Sequence, residues 1–267
     1  MARLILTHKI ELMKKYLIIT LISFSAITGA KAQDYKVNKA SGKMILNLPS
    51  VTVEGYNGNE IVFSSQRTQA DADPRAKGLR EINGSGYTDN TGLGISVIEK
   101  GATLEVNQVS FDLAIKIMVP KGLLLSYSYH KVLNSGKAIF KNLENEIETS
   151  TDYNQIELEN VTGPLTVRAI YGSVDAKFNA PIKGPVSIVS VYSAVDVSIP
   201  QNTKINVKLN SSHGSILASS DLKLELEKNT DSDMISYGNT VNGKLNGGGT
   251  EFKLTSEYGK IYLRKAK

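Results

Sequence analysis

Apolar and polar residues alternate in short arms on either side of a recurring dipeptide, in which an aromatic residue precedes a small or turn-prone one. The aromatic positions lie 18, 21, 21, 24 and 21 residues apart and are Tyr153, Tyr171, Tyr192, His213, Tyr237 and Tyr258. Most of the following residues are Gly or Asn, which adopt positive φ most readily, with Ser193 the weak fit. The dipeptide therefore predicts a backbone corner.

The arms themselves predict strands. Each alternates with period two, which is typical of a short strand with one buried face. The arms before the corner are Leu165–Val167, Val186–Ile188, Val207–Leu209 and Phe252–Leu254. Those after it are Ile156–Leu158, Val174–Ala176, Val195–Val197, Ile216–Ala218 and Ile261–Leu263, and 138–140 and 146–148 indicate an earlier coil. Counted from the aromatic residue, the inward residues lie four and six positions before it but three and five positions after it. This change of parity predicts that the chain turns there.

The pattern predicts an all-β protein built as a single β-solenoid, like a parallel β-helix, with coils of about 20 residues stacked through 137–267. No coil could bury its apolar face alone. The alternative is an antiparallel β-sandwich, because Asn-Gly pairs at 57–58, 83–84 and 242–243 could close hairpins.

Residues 33–110 alternate less regularly, at Met44–Leu48, Val51–Val53, Ile61–Phe63, Ile95–Ile98 and Leu104–Val106. We expect them to form N-terminal coils or a cap, ahead of regular repeats in 111–267, so that 33–267 is a single β-repeat domain. Residues 68–94 are rich in Gly, Asp and Asn, with a helical turn predicted at Arg75–Glu81. They predict an inserted loop of the kind that often carries function.

The first 32 residues have the features of a signal peptide. Lys14-Lys15 precedes an apolar run from Leu17 to Ala30, and Ala30-Lys31-Ala32 fits a cleavage site before Gln33, with Met13 as the expected translation start. The apolar run of about 14 residues is shorter than the ~20 that span a bilayer, which disfavours a membrane anchor. We expect an exported protein without a transmembrane segment, and the absence of Cys argues against a lipid anchor.

Charge disfavours a nucleic-acid partner once the signal peptide is set aside. The whole chain has 31 basic and 26 acidic residues, a net charge of +5. Residues 1–32 hold five basic residues and one acidic residue, which leaves 26 and 25 in the remainder. The exported part therefore lacks the basic excess of a nucleic-acid-binding protein.

No group of residues specifies a reaction, cofactor or metal. Beyond residue 32 the histidines are His130 and His213, and without Cys a zinc site would need carboxylate partners. The oxygen-bearing residues Asp71, Asp73, Asp89 and Asn90 match no calcium loop. Gly247-Gly248-Gly249 lacks the context of a phosphate loop. We expect no catalytic, cofactor-binding or metal-binding residues.

A polysaccharide-degrading β-helix enzyme is the catalytic class to weigh against a binding scaffold. Such an enzyme needs carboxylates that converge on one sheet face. The acidic residues near the repeats are spread along successive strands: Glu146, Glu148, Glu157, Glu159, Asp175 and Asp196. This distribution favours a solvated sheet face, and we expect a protein that is not an enzyme.

The corner aromatic residues would be superposed on stacked coils, either as a carbohydrate-binding platform or as structural stacking. Each ring residue is separated by an even number of positions from the inward residues of the preceding arm, which places it on the same side of the strand. The residue two positions earlier is small at Thr151, Ala169, Ser190, Ser211 and Ser256, with Ile235 the exception. The pattern favours structural stacking, with rings packed against or partly under their neighbours.

Four segments resemble a known family: Val53 to Ile61, Asp89 to Gly94, Lys244 to Gly249 and Tyr258 to Lys265. Together and in this order they are similar to the exported, adhesin-like β-strand-repeat proteins of Bacteroidetes, a family of unknown function. The resemblance implies a repetitive β-fold at the cell envelope and brings no catalytic or binding residues. His213 and Ser193 depart from its Tyr-Gly pattern.

The sequence therefore favours a non-catalytic, exported envelope or cell-surface binding scaffold. It does not identify the partner, for which an envelope protein and a glycan are the candidates. The alternatives are a periplasmic accessory module linked to envelope-stress signalling and the polysaccharide-degrading enzyme. Periplasm, outer surface and secretion are all compatible with export.

Overall fold

Two β-sheets make up almost all of the regular structure in the computed structural model, which describes residues 34–65, 74–111, 113–227 and 239–266. These residues belong to the unit Gln33–Lys267. Within them the only helix is a 3-10 turn at Pro74–Ala76, which overlaps the helical turn that the sequence predicts. The all-β class is confirmed. The predicted signal peptide lies outside the described residues.

Each predicted arm overlaps a strand, including those of the N-terminal region. The strands are β1 (Asp34–Val37), β2 (Ser41–Asn47), β3 (Val51–Gly55), β4 (Ile61–Ser65), β5 (Ile95–Lys100), β6 (Thr103–Gln108), β7 (Ile115–Val119), β8 (Gly122–Tyr129), β9 (Lys137–Lys141), β10 (Ile147–Thr151), β11 (Gln155–Glu159), β12 (Leu165–Ala169), β13 (Val174–Lys177), β14 (Val186–Ser190), β15 (Val195–Ile199), β16 (Ile205–Ser211), β17 (Ile216–Ala218), β18 (Leu224–Leu226), β19 (Asn239–Leu245), β20 (Thr250–Ser256) and β21 (Ile261–Lys265). Of these, β1, β7, β8, β18 and β19 are strands that the pattern did not predict.

Sheet A has the order β1-β4-β7-β3-β9-β11-β13-β15-β21-β17, and sheet B has the order β18-β19-β16-β20-β14-β12-β10-β8-β2-β6-β5. From β6 to β18 the chain alternates between the sheets, so a strand of sheet B and the following strand of sheet A form one level, such as β12 and β13. From β8 to β15 each level pairs in parallel with the next, as in Val167↔Ile188 and Val174↔Val195.

One apolar core lies between the sheets, built from the inward residues of both. The ring of Tyr127 on β8 meets Phe140 on β9 edge to face, with 6.0 Å between ring centroids. Phe178, just after β13, meets Phe252 on β20 in the same way at 5.7 Å. These contacts join sheet B to sheet A and fix the facing arrangement.

The order of levels departs from the order of the chain at both ends. The C-terminal pair β20 and β21 lies between β14/β15 and β16/β17, and the pair β2 and β3 lies between β6/β7 and β8/β9. In addition, β19 pairs antiparallel with both β16 and β18. The prediction that coils stack in parallel through 137–267 therefore fails at β18 and β19, and a single solenoid is not confirmed.

Burial gives a physical reason for the inserted level. Both inward residues of β20 and both of β21 are buried, namely Phe252, Leu254, Ile261 and Leu263. The strand β17 has only three residues, and its Ala218 is exposed. A level whose apolar residues are all buried gains most from neighbours on both sides, whereas a short strand is suited to a sheet edge.

The Asn-Gly hairpin signals mostly failed. Residues 242–243 lie within β19, and β3 and β4, which flank 57–58, each pair with β7 and not with one another. Only 83–84 lies in a tight turn, closed by the antiparallel bridge between Ile82 and Thr88. In the parts of the chain that are described, no helix has the length and hydropathy needed to span a membrane.

Candidate functional site

Five aromatic rings form a continuous row along one edge of the molecule, here called the aromatic ladder: Tyr153, Tyr171, Tyr192, Tyr258 and His213, in spatial order. Successive ring centroids are 4.9, 4.9, 5.1 and 4.7 Å apart, and the ring planes differ by 13°, 8°, 8° and 11°. The predicted superposition of these rings is confirmed. Tyr258 stands between Tyr192 and His213 because its level is the inserted one, and Tyr237 lies outside the described residues.

Main-chain hydrogen bonds set the spacing of the ladder. In four of the five ring residues, the amide N–H donates to the carbonyl of the residue that precedes the ring in the adjacent level. These bonds are Tyr171 to Asp152 at 2.7 Å, Tyr192 to Ile170 at 2.8 Å, Tyr258 to Val191 at 2.9 Å and His213 to Glu257 at 2.8 Å. The ladder thus inherits the strand spacing of a β-sheet, about 4.8 Å.

The rings are half-exposed, which corrects the prediction that they pack partly under their neighbours. The exposed fractions are 40% for Tyr153, 49% for Tyr171, 51% for Tyr192 and 53% for Tyr258. Around Tyr171 the chain has already left the strand alternation, since Ala169 and Gly172 are both buried and the ring between them is exposed. The change of direction therefore begins before the ring, and the even register does not extend to it.

The small residues two positions before the rings serve the corner backbone and do not make room for a ring. The hydroxyl of Ser190 donates to the carbonyl of Gly172 at 3.2 Å, and that of Ser256 donates to the carbonyl of Ser193 at 2.9 Å. Ser211 repeats the contact with Gly259 at 3.2 Å. A column of three buried serine hydroxyls thus binds its corners to the adjacent levels, a role that the sequence pattern did not reveal. Ala169 has no hydroxyl, and that of Thr151 donates to the Asn154 carbonyl in its own corner.

The corner glycines allow the backbones of adjacent levels to approach closely, and they do not have positive φ. A Cβ on Gly172 would lie 1.9 Å from the carbonyl oxygen of Asn154, and one on Gly214 would lie 1.8 Å from that of Gly259. Neither glycine is among the positive-φ residues. The recurring Gly correctly predicted a corner. The physical reason for Gly at these positions is that a side chain would collide with the backbone of the adjacent level.

The stacking leaves edges, not faces, available to a ligand. Rings at these separations are in contact, so the three inner rings cover one another. What stays accessible is a row of ring edges and phenol hydroxyls. Polar groups flank the row: His130 Nδ1 lies 2.8 Å from Asp152 Oδ1, and Ser212 Oγ donates to Glu257 Oε2 at 2.7 Å. Such a surface can hydrogen-bond an extended ligand.

The two histidines beyond residue 32 have different contacts: His130 pairs with Asp152, and His213 stacks on Tyr258 at the end of the ladder. Among the described residues there is no group of three His, Cys, Asp or Glu side chains placed to hold a metal ion. Asp71 and Asp73, two of the oxygen-bearing residues that match no calcium loop, lie outside the described residues.

Asp89 and Asn90 organise the loop that contains them. Asp89 Oδ1 accepts from the amides of Thr91 and Gly92, each at 2.9 Å, and Asp89 Oδ2 accepts from the Gly94 amide at 3.0 Å. The Asn90 side chain makes two hydrogen bonds with the backbone of Val97: its Nδ2 donates to the Val97 carbonyl, and its Oδ1 accepts from the Val97 amide. Their oxygens are committed to the local backbone, as expected for a turn.

Five of the six acidic residues near the repeats are paired with neighbouring side chains. Four of them form ion pairs, namely Glu148 with Lys43, Glu157 with Lys137, Glu159 with Lys141 and Asp196 with Arg264. Asp175 accepts from Gln155 at 2.7 Å, and Glu146 is exposed. The hydrogen bond from Lys137 lowers the pKa of Glu157, the opposite of what a general acid needs.

The three glycines at 247–249 belong to the turn between β19 and β20. Gly247 and Gly248 have positive φ, and the Asn206 side chain donates to the Gly249 carbonyl at 3.0 Å. A Cβ on Gly249 would lie 2.4 Å from the Lys204 carbonyl oxygen. The prediction that they relieve crowding between backbones fits Gly249.

No protein-family model and no curated protein matches the chain. Among solved structures, a candidate cell adhesion protein from Clostridium sporogenes is similar at 14% identity and a TM-score of 0.41, over 88% of this chain and 100% of that one. A candidate adhesin from Bacteroides fragilis is similar at 10% identity and a TM-score of 0.29, over 89% and 98%. Both are distant likenesses.

Proposed function

We propose that this protein is a non-catalytic, adhesin-like binding scaffold, exported to the cell envelope or surface, and that the aromatic ladder is its contact surface. The observation that carries the proposal is the continuous row of half-exposed, stacked rings. Tyrosine offers a large amphipathic contact area at low entropic cost, which is why it is frequent in binding surfaces.

The ladder is rigid before any ligand arrives. Hydrogen bonds through successive main-chain amides fix each ring residue, and the buried hydroxyl column supports the corners from behind. A preorganised surface loses little conformational freedom on binding. We propose that the levels from β8 to β15 act as a short β-solenoid that displays this surface.

The chemistry of the ladder favours a glycan as the partner. Hydroxyls and ring edges that repeat about every 5 Å suit an extended, hydroxyl-rich polymer lying along the row. The flanking Asp152 and Glu257 add hydrogen-bond acceptors. An envelope protein is the other partner class, and binding assays with each class distinguish them.

Export is tested by the intact mass of the protein recovered from outside the cytoplasm. We expect a chain that begins at Gln33. Cell fractionation combined with protease shaving then separates a surface protein from a periplasmic accessory module. A species that retains Met1 or Met13 in the membrane fraction would contradict export with cleavage.

The binding test compares wild-type protein with a Tyr171→Ala/Tyr192→Ala variant on a glycan panel and on envelope proteins. The matched control is Tyr262→Ala, on the outer face of β21 beneath the guanidinium of Arg264. We expect the ladder variant to lose at least about tenfold in affinity, or about 1.4 kcal/mol, and Tyr262→Ala to bind normally. Wild-type protein that binds neither panel would refute the adhesin-like function. Unchanged binding by the ladder variant would refute the ladder as the site.

A further inference from the structure

The two sheets end unevenly beside β17. Facing strands match level by level up to β16 and β17, but sheet B continues for two more strands, β19 and β18, with no described strand of sheet A opposite them. At about 4.8 Å per strand, the step is about 10 Å deep. In the described residues, one edge of β17 and one edge of β18 have no strand partner.

Inward-pointing apolar side chains are exposed at this step. Leu226 on β18 faces the same side of sheet B as the buried Leu245, by the register of β18 and β19, yet it is 62% exposed. Ala218 on β17 shares the inward side with Leu263 and is also exposed. Beside them on the outer face, Leu217 is 47% exposed.

We propose that this end binds the same end of a second copy of the chain, giving a two-fold symmetric dimer. Rotation by 180° about an axis parallel to the strands exchanges the two layers and reverses the direction of the stack. Sheet B of the second copy then continues sheet A of the first, with β18 of each copy beside β17 of the other. The two extra strands of each copy fill the two-strand step of its partner.

The count of strands distinguishes this dimer from a head-to-tail filament. At the opposite end of the two sheets, counting the strands of the described residues, sheet A is longer than sheet B by one strand, β1. A head-to-tail contact would therefore place one strand in a two-strand step and leave a gap, whereas the symmetric contact leaves none. Closed two-fold contacts are also the commonest form of self-association.

Charge supports the same pairing. The outer face of β18 carries Glu225, and Glu227 continues its register through a hydrogen bond from its amide to the Asn242 carbonyl at 2.9 Å. On the outer face of sheet A, strand β21 beside β17 carries Arg264 and is directly preceded by Lys260, and Arg264 is already paired with Asp196. In the symmetric dimer Glu225 and Glu227 of each copy lie on the same outer face as Lys260 of the other copy, two strands away.

Sedimentation velocity of the full exported protein over a range of concentrations tests the proposal, with Leu226→Lys as the disrupting variant. The matched control is Leu133→Lys, at a leucine in the loop between β8 and β9 that is 78% exposed. We expect wild type and Leu133→Lys to form dimers and Leu226→Lys to raise the dimer dissociation constant at least about tenfold. Wild-type protein that stays monomeric throughout, or equal dimerisation of all three proteins, would overturn the proposal.

A cross-linking experiment checks the geometry independently of stability. The chain has no Cys, so Ala218→Cys and Leu226→Cys introduce single thiols. When the two variants are mixed with different tags, we expect a disulfide between the tagged chains. A monomer whose new thiols resist alkylation would show that another segment of the same chain covers this end, and a monomer with reactive thiols would point to a different partner; both refute the dimer.

Discussion

A carbonyl oxygen of the neighbouring level limits the size of the residue that can follow a ladder ring. Glycine at 172 allows the two backbones to approach within a distance that any Cβ would block. Asn154 occupies the same slot at the level of Tyr153, and its fully buried amide donates to the Pro49 carbonyl at 2.6 Å. The slot therefore tolerates a side chain only where the adjacent level leaves space for it.

Replacing Gly172 by Ala tests this explanation. The new Cβ would meet the Asn154 carbonyl, so we expect a loss of about 1 to 3 kcal/mol in the free energy of unfolding, as in overpacked cores. Gly84→Ala is the matched control, because a Cβ at that position would have no atom within 4 Å and its φ is not positive. Chemical denaturation of both variants measures the difference, and equal stability would contradict the close-approach account.

Exposure lowers the expected cost of removing a ladder ring. Tyr192 is half-exposed and stacks on Tyr171 and Tyr258, so Tyr192→Ala should cost about 1 to 2 kcal/mol, the value of a few aromatic contacts. Tyr127, which is 1% exposed, provides the comparison, and Tyr127→Ala should cost about 3 to 5 kcal/mol. Thermal or denaturant unfolding of the two variants checks the order. A larger loss at Tyr192 would show that the ladder is a core element.

At the scale of elements, position in the chain does not decide position in the sheet. The strands β20 and β21 end the chain but lie inside their sheets, each with a partner on both sides. By contrast, β17 and β18 precede them in the chain and occupy sheet edges. Because hydrogen bonds on both sides and buried side chains restrict opening, the terminal strands should be among the more stable ones.

Hydrogen exchange measures that order directly. We expect amides in 250–256 and 261–265 to exchange more slowly than those in 216–218 and 224–226, despite lying nearest the C-terminus. Peptide-level mass spectrometry resolves these segments in one experiment. Exchange in β20 and β21 as fast as in β17 would show that the inserted level is not formed in solution.

At the scale of the whole molecule, ion pairs join segments that are distant in the chain. Glu144, between β9 and β10, pairs with Lys121 before β8 at 2.6 Å and with Lys183 before β14. Hydrogen bonds from these two lysines lower the pKa of Glu144 to about 2 from its ordinary 4.5. Glu54, bound by Lys116, also has a lowered pKa.

These carboxylates predict acid sensitivity. A lowered pKa means that the unfolded state takes up protons first, so stability from Glu144 is complete above about pH 4.5 and is lost as the pH falls toward 2. The pairs are at the surface, so added salt should weaken the effect. Melting curves of wild type and Glu144→Gln between pH 6 and pH 2 check this, and we expect a shallower decline for the variant. Parallel declines would exclude Glu144 as a cause.

By itself, the amino-acid sequence determined most of the strands, the all-β class and the column of corner rings, through alternation and corner spacing. These features depend on local periodicity, which a linear pattern records directly: Val167 and Val174 are inward because their arms alternate.

The order of the levels and the exposure of the rings were decided only by the tertiary structure. The place of Phe252 between Val186 and Val207 follows from which apolar strands gain most by having two neighbours, a comparison across the whole chain. Whether Tyr171 points inward depends on where the backbone bends, which is set by hydrogen bonds to Asp152 in another level. Non-local contacts of this kind leave no periodic signal in the sequence.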